Sequence, residues 1–383
     1  MTLMHTYAPV PVTFTRGEGT ILFDEDGRQY LDFLSGLAVT SLGHGHPRLA
    51  NALARQALRL VHVSNLFGNE LAGPLATAID ELIGDGEPAG GRVFFANSGA
   101  EANECAIKLA RRYAGHGRFA VVSAYGSFHG RTLATLHATG QPDKHEPFQP
   151  LPEGFRHVAF GDIDALAAAC DPTVVAAVLL EAIQGEGGVV PAPRGYLEDV
   201  RRLCDERGIL LILDEIQTGL GRTGRWFAFQ HAGIRPDVVT MAKALGNGVP
   251  IGACWASDSV ADAFQPGDHG STFGGQPLAC AAALETLAIM SEIDAPARAE
   301  RLGRRLAAGL EAIDGVERVR GAGLLLGAVL RTGIDAKKAT TEALRRGLVV
   351  NSPVPGVLRL APPLTVSEDE IDGALRILAE VLA

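Results

Sequence analysis

The sequence predicts an α/β fold built on a mostly parallel sheet. Three observations carry that reading. Short apolar runs of strand length recur through the middle of the chain, stretches with helical spacing separate them, and 46 glycines and 21 prolines among 383 residues punctuate both. The runs cover residues 92–96, 118–123, 174–181, 209–214, 237–241 and 252–256. Most are continuously apolar, as strands covered on both faces must be. Helical patterns at 100–113, 163–169 and 196–206 give the rhythm of repeated strand-helix units. Ahead of them, residues 20–24 and 28–33 flank Asp24-Glu25-Asp26-Gly27, a hairpin signal with glycine where positive φ is needed. After Gln276 the pattern shifts to long Ala/Leu helices at 278–291 and 296–313, strands near 316–320 and 324–330, and closing helices at 336–346 and 367–382. This tail predicts a smaller α+β unit. The expected division is an N-terminal segment 1–60, a large domain 61–275 and a C-terminal domain 276–383.

A formal net charge of −10 and the lack of a basic run argue against nucleic acid as a partner, since that affinity comes from clustered Lys and Arg. The longest aliphatic stretch, 174–180, is far short of the roughly 18 residues a membrane span needs. Met1-Thr2-Leu3-Met4-His5-Thr6 has no basic start followed by an apolar core, so no secretory signal is expected. Cys105, Cys170, Cys204, Cys254 and Cys280 are odd in number and scattered, which predicts reduced core residues in a cytoplasmic protein. His44-Gly45-His46-Pro47 lacks a nearby third ligand and is read as structural, so no metal is expected.

The chemistry is expected at the ends of the apolar runs. Run 209–214 ends in Asp214-Glu215, at the carboxyl edge of a parallel sheet, where open α/β folds bind ligands. Alone, that aspartate reads as a helix cap or a loop salt bridge. Lys243 follows run 237–241 in the same way, and alone it reads as a solvated lysine. The pair says more. A lysine that condenses with an aldehyde coenzyme and a carboxylate that keeps a pyridine nitrogen protonated are the two protein groups pyridoxal-phosphate chemistry requires. Asn97-Ser98-Gly99-Ala100-Glu101-Ala102 opens a helix after run 92–96 and can hold a phosphate on free backbone N–H groups, or be an ordinary N-cap. In Ser127-Phe128-His129-Gly130-Arg131, the ring can stack on a heterocycle and the guanidinium can grip a carboxylate; the plainer reading is a core Phe and a surface Arg. Gly219-Leu220-Gly221-Arg222-Thr223-Gly224 matches GxGxxG but neither leaves a strand nor opens a helix, so it is not read as a dinucleotide site.

Together with Gln184-Gly185-Glu186-Gly187-Gly188, Leu213-Asp214-Glu215-Ile216-Gln217-Thr218-Gly219, Ala242-Lys243 and His269-Gly270-Ser271-Thr272-Phe273-Gly274-Gly275, these motifs resemble the class III pyridoxal-phosphate aminotransferases from about Gly17 to the last helix. The resemblance implies fold type I, with a mostly parallel seven-stranded sheet, a smaller domain drawn from both chain ends, and a homodimer with active sites at the interface. It implies pyridoxal 5'-phosphate bound covalently to Lys243, with Asp214 at the ring nitrogen, Gln217 near the phenolic oxygen, Phe128 on the ring face, Ser98, Gly99 and Ala100 on the phosphate, and Thr272 with Ser271 reaching in from the partner subunit. Arg131 would hold a substrate carboxylate, and Arg359 the α-carboxylate of glutamate. Glu186 would neutralise Arg359 when the other substrate is bound. The implied partners are a small ω-amine donor and 2-oxoglutarate or glutamate. Acetylornithine leads the donors, because related enzymes that use the free amine carry tyrosine where this chain has the apolar Leu37. Succinylornithine, ornithine, 4-aminobutyrate and a carrier-linked lysine intermediate remain open, and an exposed basic rim from Arg16, Arg222 and Arg225 would favour the last. The chain departs from the family pattern at Ala182, where proline is usual, and at Asn247, where glycine is frequent.

Overall fold

The computed structural model describes residues 3–383, so Met1 and Thr2 of the segment read for a secretory signal lie outside the described residues. At the centre is a seven-stranded sheet in the order Gly91–Ala96, Gly252–Ser257, Val238–Met241, Leu210–Asp214, Val175–Leu180, Ala120–Ala124, Phe155–Val158. Six strands share one direction. Gly252–Ser257 opposes them, pairing antiparallel with both neighbours. The sequence reading counts run 252–256 among the repeated strand-helix units, and here it is corrected. Only ten residues separate Met241 from Gly252, too few for the helical crossover a parallel return needs, so the chain turns back through the short 3-10 turn Lys243–Leu245.

Val175–Leu180 and Leu210–Asp214 are buried along their whole length, which explains their uninterrupted apolar sequence. Helix Gly99–Ala114 covers one face of the sheet, with Cys105, Ala106, Ile107, Leu109 and Ala110 buried against it. Edge strand Phe155–Val158 has the mixed sequence Phe-Arg-His-Val and gives no apolar run to read. Helices Pro47–Arg59 and Ala72–Ile83 are likewise additions to the predicted set; both pack on the long helix Pro277–Glu292. Near the amino edge, Gly91 lies under the buried Trp255. A Cβ there would meet the indole at 2.3 Å, and the indole N–H donates to Asp80 (2.8 Å).

The expected hairpin joins Ile21–Asp24 to Gln29–Asp32; Asp24 accepts the backbone N–H groups of Asp26 and Arg28, and Gly27 takes φ +80°. Leu348–Val349 adds to the same sheet in parallel, so residues from both halves of the chain share it. A second small sheet, Val316–Ala322, Leu325–Leu330 and Val357–Leu360, carries Arg359. No helix among the described residues is long and apolar enough to cross a membrane.

Candidate active site

A cavity of about 390 Å³ opens where the parallel strands end. Chain leaving a strand at its carboxyl end must turn, and those turns line the cavity one by one. Gly91–Ala96 delivers Ser98, Gly99 and Ala100, and Ala120–Ala124 leads to Phe128 and Arg131. Val175–Leu180 leads to Glu181 and Glu186, Leu210–Asp214 ends on Asp214 with Gln217 beyond, and Val238–Met241 leads to Lys243. All of these side chains or turns lie on its wall.

Asp214 is buried and held from three sides. Its Oδ2 accepts from Asn103 Nδ2 (2.8 Å) and lies 2.8 Å from His129 Nδ1, while Oδ1 accepts the backbone N–H of Ile216 (3.1 Å). Asn103 is fixed in turn, because its Oδ1 accepts from Thr240 Oγ1 (2.7 Å). With Asn103 donating to one oxygen, the carboxylate cannot rotate without breaking several charge-assisted bonds. It is a fixed negative charge at the cavity wall.

Lys243 has φ +43°, in the left-handed region that side chains rarely adopt. Desolvation, then repulsion from Arg359, lowers the pKa of its amine to about 8, against the opposing pull of Glu186, Asp214 and Glu181. Glu186 pairs with Arg359 (2.6 Å), and Arg359 Nη1 also donates to Gln217 Oε1 (3.2 Å). Burial alone would raise the Glu186 pKa, but the charge of Arg359, followed by Lys243 and Lys144, brings it below its ordinary value. Arg359 is fully buried, and its Nη2 has no hydrogen-bond partner among the described residues. An orphaned guanidinium nitrogen in a closed site is costly unless a ligand oxygen takes it.

Gly185 brings its backbone against Gln217; a Cβ there would sit 2.0 Å from Gln217 Oε1. Ser98 caps helix Gly99–Ala114, accepting the Glu101 N–H (3.2 Å), and leaves the first N–H groups of the helix without intrahelical acceptors. Gly99 has no room for a side chain either, since a Cβ would meet Ile216 at 2.7 Å. The donor set fits pyridoxal 5'-phosphate: an anion cradle on backbone N–H groups, a fixed carboxylate for a protonated ring nitrogen, an aromatic face at Phe128, and an amine with a depressed pKa.

Ser271 and Thr272, which the resemblance gives to the partner's cavity, do not line this one. They border a neighbouring surface groove, where Ser271 Oγ accepts from Asn97 Nδ2 (3.1 Å) and Thr272 is exposed. Leu37 is also off the wall, 38% exposed within a left-handed turn, and Val39 takes the cavity position instead. Arg222 is no part of an exposed rim: it is fully buried, its guanidinium bonding the carbonyls of Leu324 (3.2 Å) and Pro362 and Ser41 Oγ (2.9 Å). The GxGxxG segment is the turn that carries this buried clamp. His44 Nε2 lies 2.8 Å from Asp32, which is its structural partner. Asn247 takes φ +46°, a conformation asparagine tolerates, and uses its amide to accept from Leu42 N (2.7 Å) and donate to Gly43 O (3.2 Å).

Sequence reasoning missed Glu181, Asn103 and His129. Glu181 is buried on the cavity wall and accepts the N–H groups of Phe128 (3.0 Å) and Gly185 (3.3 Å), tying together the loops of the stacking ring and of Glu186. Burial raises its pKa to about 7. A signal existed, because Glu181 ends an apolar run just as Asp214 does.

The family model described as Aminotransferase class-III matches residues 2–382. The acetylornithine aminotransferase of Corynebacterium efficiens is 48% identical over 100% of this chain and 95% of that protein. The Mycobacterium tuberculosis protein of the same name is 49% identical over 99% of this chain and 94% of its own. Among solved structures, the ornithine aminotransferase of Toxoplasma gondii superposes with a TM-score of 0.94 at 36% identity, covering 100% of this chain and 92% of that one. The N-acetylornithine aminotransferase of Stenotrophomonas maltophilia superposes with a TM-score of 0.84 at 37% identity, covering 97% and 96%.

Proposed function

The chain belongs to the class III aminotransferases, which depend on pyridoxal 5'-phosphate, and from that premise we propose that it moves the terminal amine of N2-acetyl-L-ornithine to 2-oxoglutarate, giving N-acetylglutamate 5-semialdehyde and glutamate in arginine biosynthesis. The observation that carries the exchange is the buried Arg359–Glu186 pair. One cation with a detachable internal counter-ion suits a site that must accept two substrates differing by one carboxylate. The choice of donor rests on the activity named for its relatives.

When bound, the coenzyme supplies an aldehyde that links to an amine and a ring that takes up the electron pair left when a proton departs from carbon. The remaining work falls to the chain. In this reading Lys243 Nζ carries a proton away from the carbon bearing the amine and returns it elsewhere, which suits an amine held near neutral pH by its surroundings. Asp214, fixed by Asn103 and His129, keeps the facing nitrogen protonated. Arg131 grips a substrate carboxylate at the cavity wall, and Arg359 takes the α-carboxylate of glutamate once Glu186 releases it. With the acetylated donor bound, Glu186 stays on Arg359, because an unpaired buried guanidinium would oppose binding.

The active unit in this reading is a cytoplasmic homodimer in which Thr272, with Ser271 beside it, reaches the phosphate side of the partner's cavity. The exposure of Thr272, off the wall of its own chain's cavity, supports this. The deciding experiment compares acetylornithine, succinylornithine, ornithine, 4-aminobutyrate and carrier-linked lysine as donors to 2-oxoglutarate. Acetylornithine should give the highest kcat/KM; free ornithine outperforming it would overturn the assignment.

A further inference from the structure

We infer that Lys144 is a further substrate-binding residue, its ammonium joining the Arg131 guanidinium in a two-cation seat for the carboxylate at the outer end of the substrate. The inference rests on the donor and acceptor reading above and adds a residue to it.

Lys144 ends the short 3-10 turn Pro142–Lys144, outside every motif the sequence brings forward. Its Nζ lies 5.4 Å from the ring centroid of Phe128, and the Arg131 guanidinium carbon lies 5.7 Å from the same centroid. Phe128 and Arg131 line the cavity, and Lys144 stands just outside that lining beside the same ring. Among the described residues neither cation has a carboxylate within ion-pair distance. Arg359, by contrast, is matched by Glu186.

Lys144 is nevertheless held in place. Its ammonium donates to Gln141 Oε1, and Gln141 Nε2 donates to the carbonyl of Ser127 (2.9 Å), the residue before the ring. Partial burial and then the charge of Arg131 push the Lys144 pKa down, with Glu186 opposing. Two like charges held near one ring repel each other, and a carboxylate that reaches both removes that penalty. The stoichiometry of bonds also fits. A carboxylate has about four acceptor positions, of which a bidentate guanidinium uses two, leaving others for an ammonium.

The competing role for Lys144 is to brace the turn through Gln141 and meet no substrate. The two roles separate experimentally. In the holoenzyme, Lys144→Met and Lys144→Arg are compared with the unaltered protein in two ways. Calorimetry gives the affinity for glutarate, a dicarboxylate without an amine. Steady-state kinetics give the preference for N-acetylornithine over N-acetylputrescine, which has the same amine and acyl group but no carboxylate. For a two-cation seat, Lys144→Met weakens glutarate about tenfold and lowers the preference by a similar factor through KM, while Lys144→Arg recovers most of both. Unchanged glutarate affinity, or equal losses on the two donors, overturns the inference. If the unaltered protein ignores N-acetylornithine, the donor assignment fails by itself, and the glutarate measurement still decides Lys144.

Discussion

At the scale of single residues, the site holds its charges where water would normally weaken them. Lys243 shows this most directly: desolvation and Arg359 lower its pKa to about 8. Below that value the amine carries a proton and has no electron pair for a carbonyl; above it the amine is free to react. The rate at which coenzyme-free protein captures pyridoxal phosphate should therefore rise through about pH 8 and level off, as followed by visible absorbance. A rate already level at about pH 6.5 would contradict the depressed value. Arg359 supports a second expectation. Its Nη1 is paired with Glu186, while Nη2 has no partner among the described residues. Arg359→Ala should slow the 2-oxoglutarate half-reaction by about 10²-fold, the scale of a lost charge-assisted contact or two, and the donor half-reaction by much less. Single-turnover measurements of each half separate them, and equal damage to both would remove the exchange role given to the Arg359–Glu186 pair.

At the scale of elements, close backbone approach builds the phosphate turn. Gly252 begins the antiparallel strand of the seven-stranded sheet close beside Ser98, and a Cβ at Gly252 would lie 2.3 Å from the Ser98 carbonyl oxygen. That neighbour is backbone and cannot rotate away. Gly252→Ala should cost about 1–3 kcal/mol, lower Tm by a few degrees and weaken coenzyme retention by displacing Ser98 and Gly99. Gly73→Ala, in helix Ala72–Ile83 with open space around it, should be neutral or slightly stabilising. Equal Tm values for the two variants would show that the contact with Ser98 does not matter. The same elements show what the sequence could reveal. Leu210–Asp214 and Val175–Leu180 announce themselves because burial on both faces demands uninterrupted apolar residues, and Asp214 and Lys243 are legible as the breaks that follow such runs. Phe155–Val158 lies at the sheet edge, where one-sided cover permits Arg and His, so no run marks it. Asn103 was invisible for another reason. It is one polar position inside helix Gly99–Ala114, and only the fold brings it to Asp214, 111 residues away.

At the scale of the whole molecule, one face of the chain leaves large apolar side chains uncovered. Leu66 and Phe67 are 87% and 68% exposed, and the segment bearing them is fastened to the Thr272 loop: Asn65 Nδ2 donates to the carbonyls of Ser271 and Gly274 (3.0 Å each), and Asn69 donates to that of Gly275 (3.0 Å). Exposed Phe273 packs near His62 in the same patch. An apolar surface of this kind is costly in water and is commonly covered by a partner. Because these hydrogen bonds tie the segment to the loop, a partner that covers Leu66 and Phe67 would also bear on the position of Thr272. If Thr272 serves the partner's cavity, two inactive variants should repair one another. Lys243→Ala removes the amine from its own cavity, and Thr272→Asp places a negative charge against the phosphate of the other. A twofold dimer holding one of each has one cavity with both faults and one with neither. After random exchange of equal amounts, half the dimers are mixed and each has one intact site, so activity should return to about a quarter of that of the unaltered protein. Mixing without recovery, once subunit exchange is verified by labelled chains, would place Thr272 in its own subunit's site or in none.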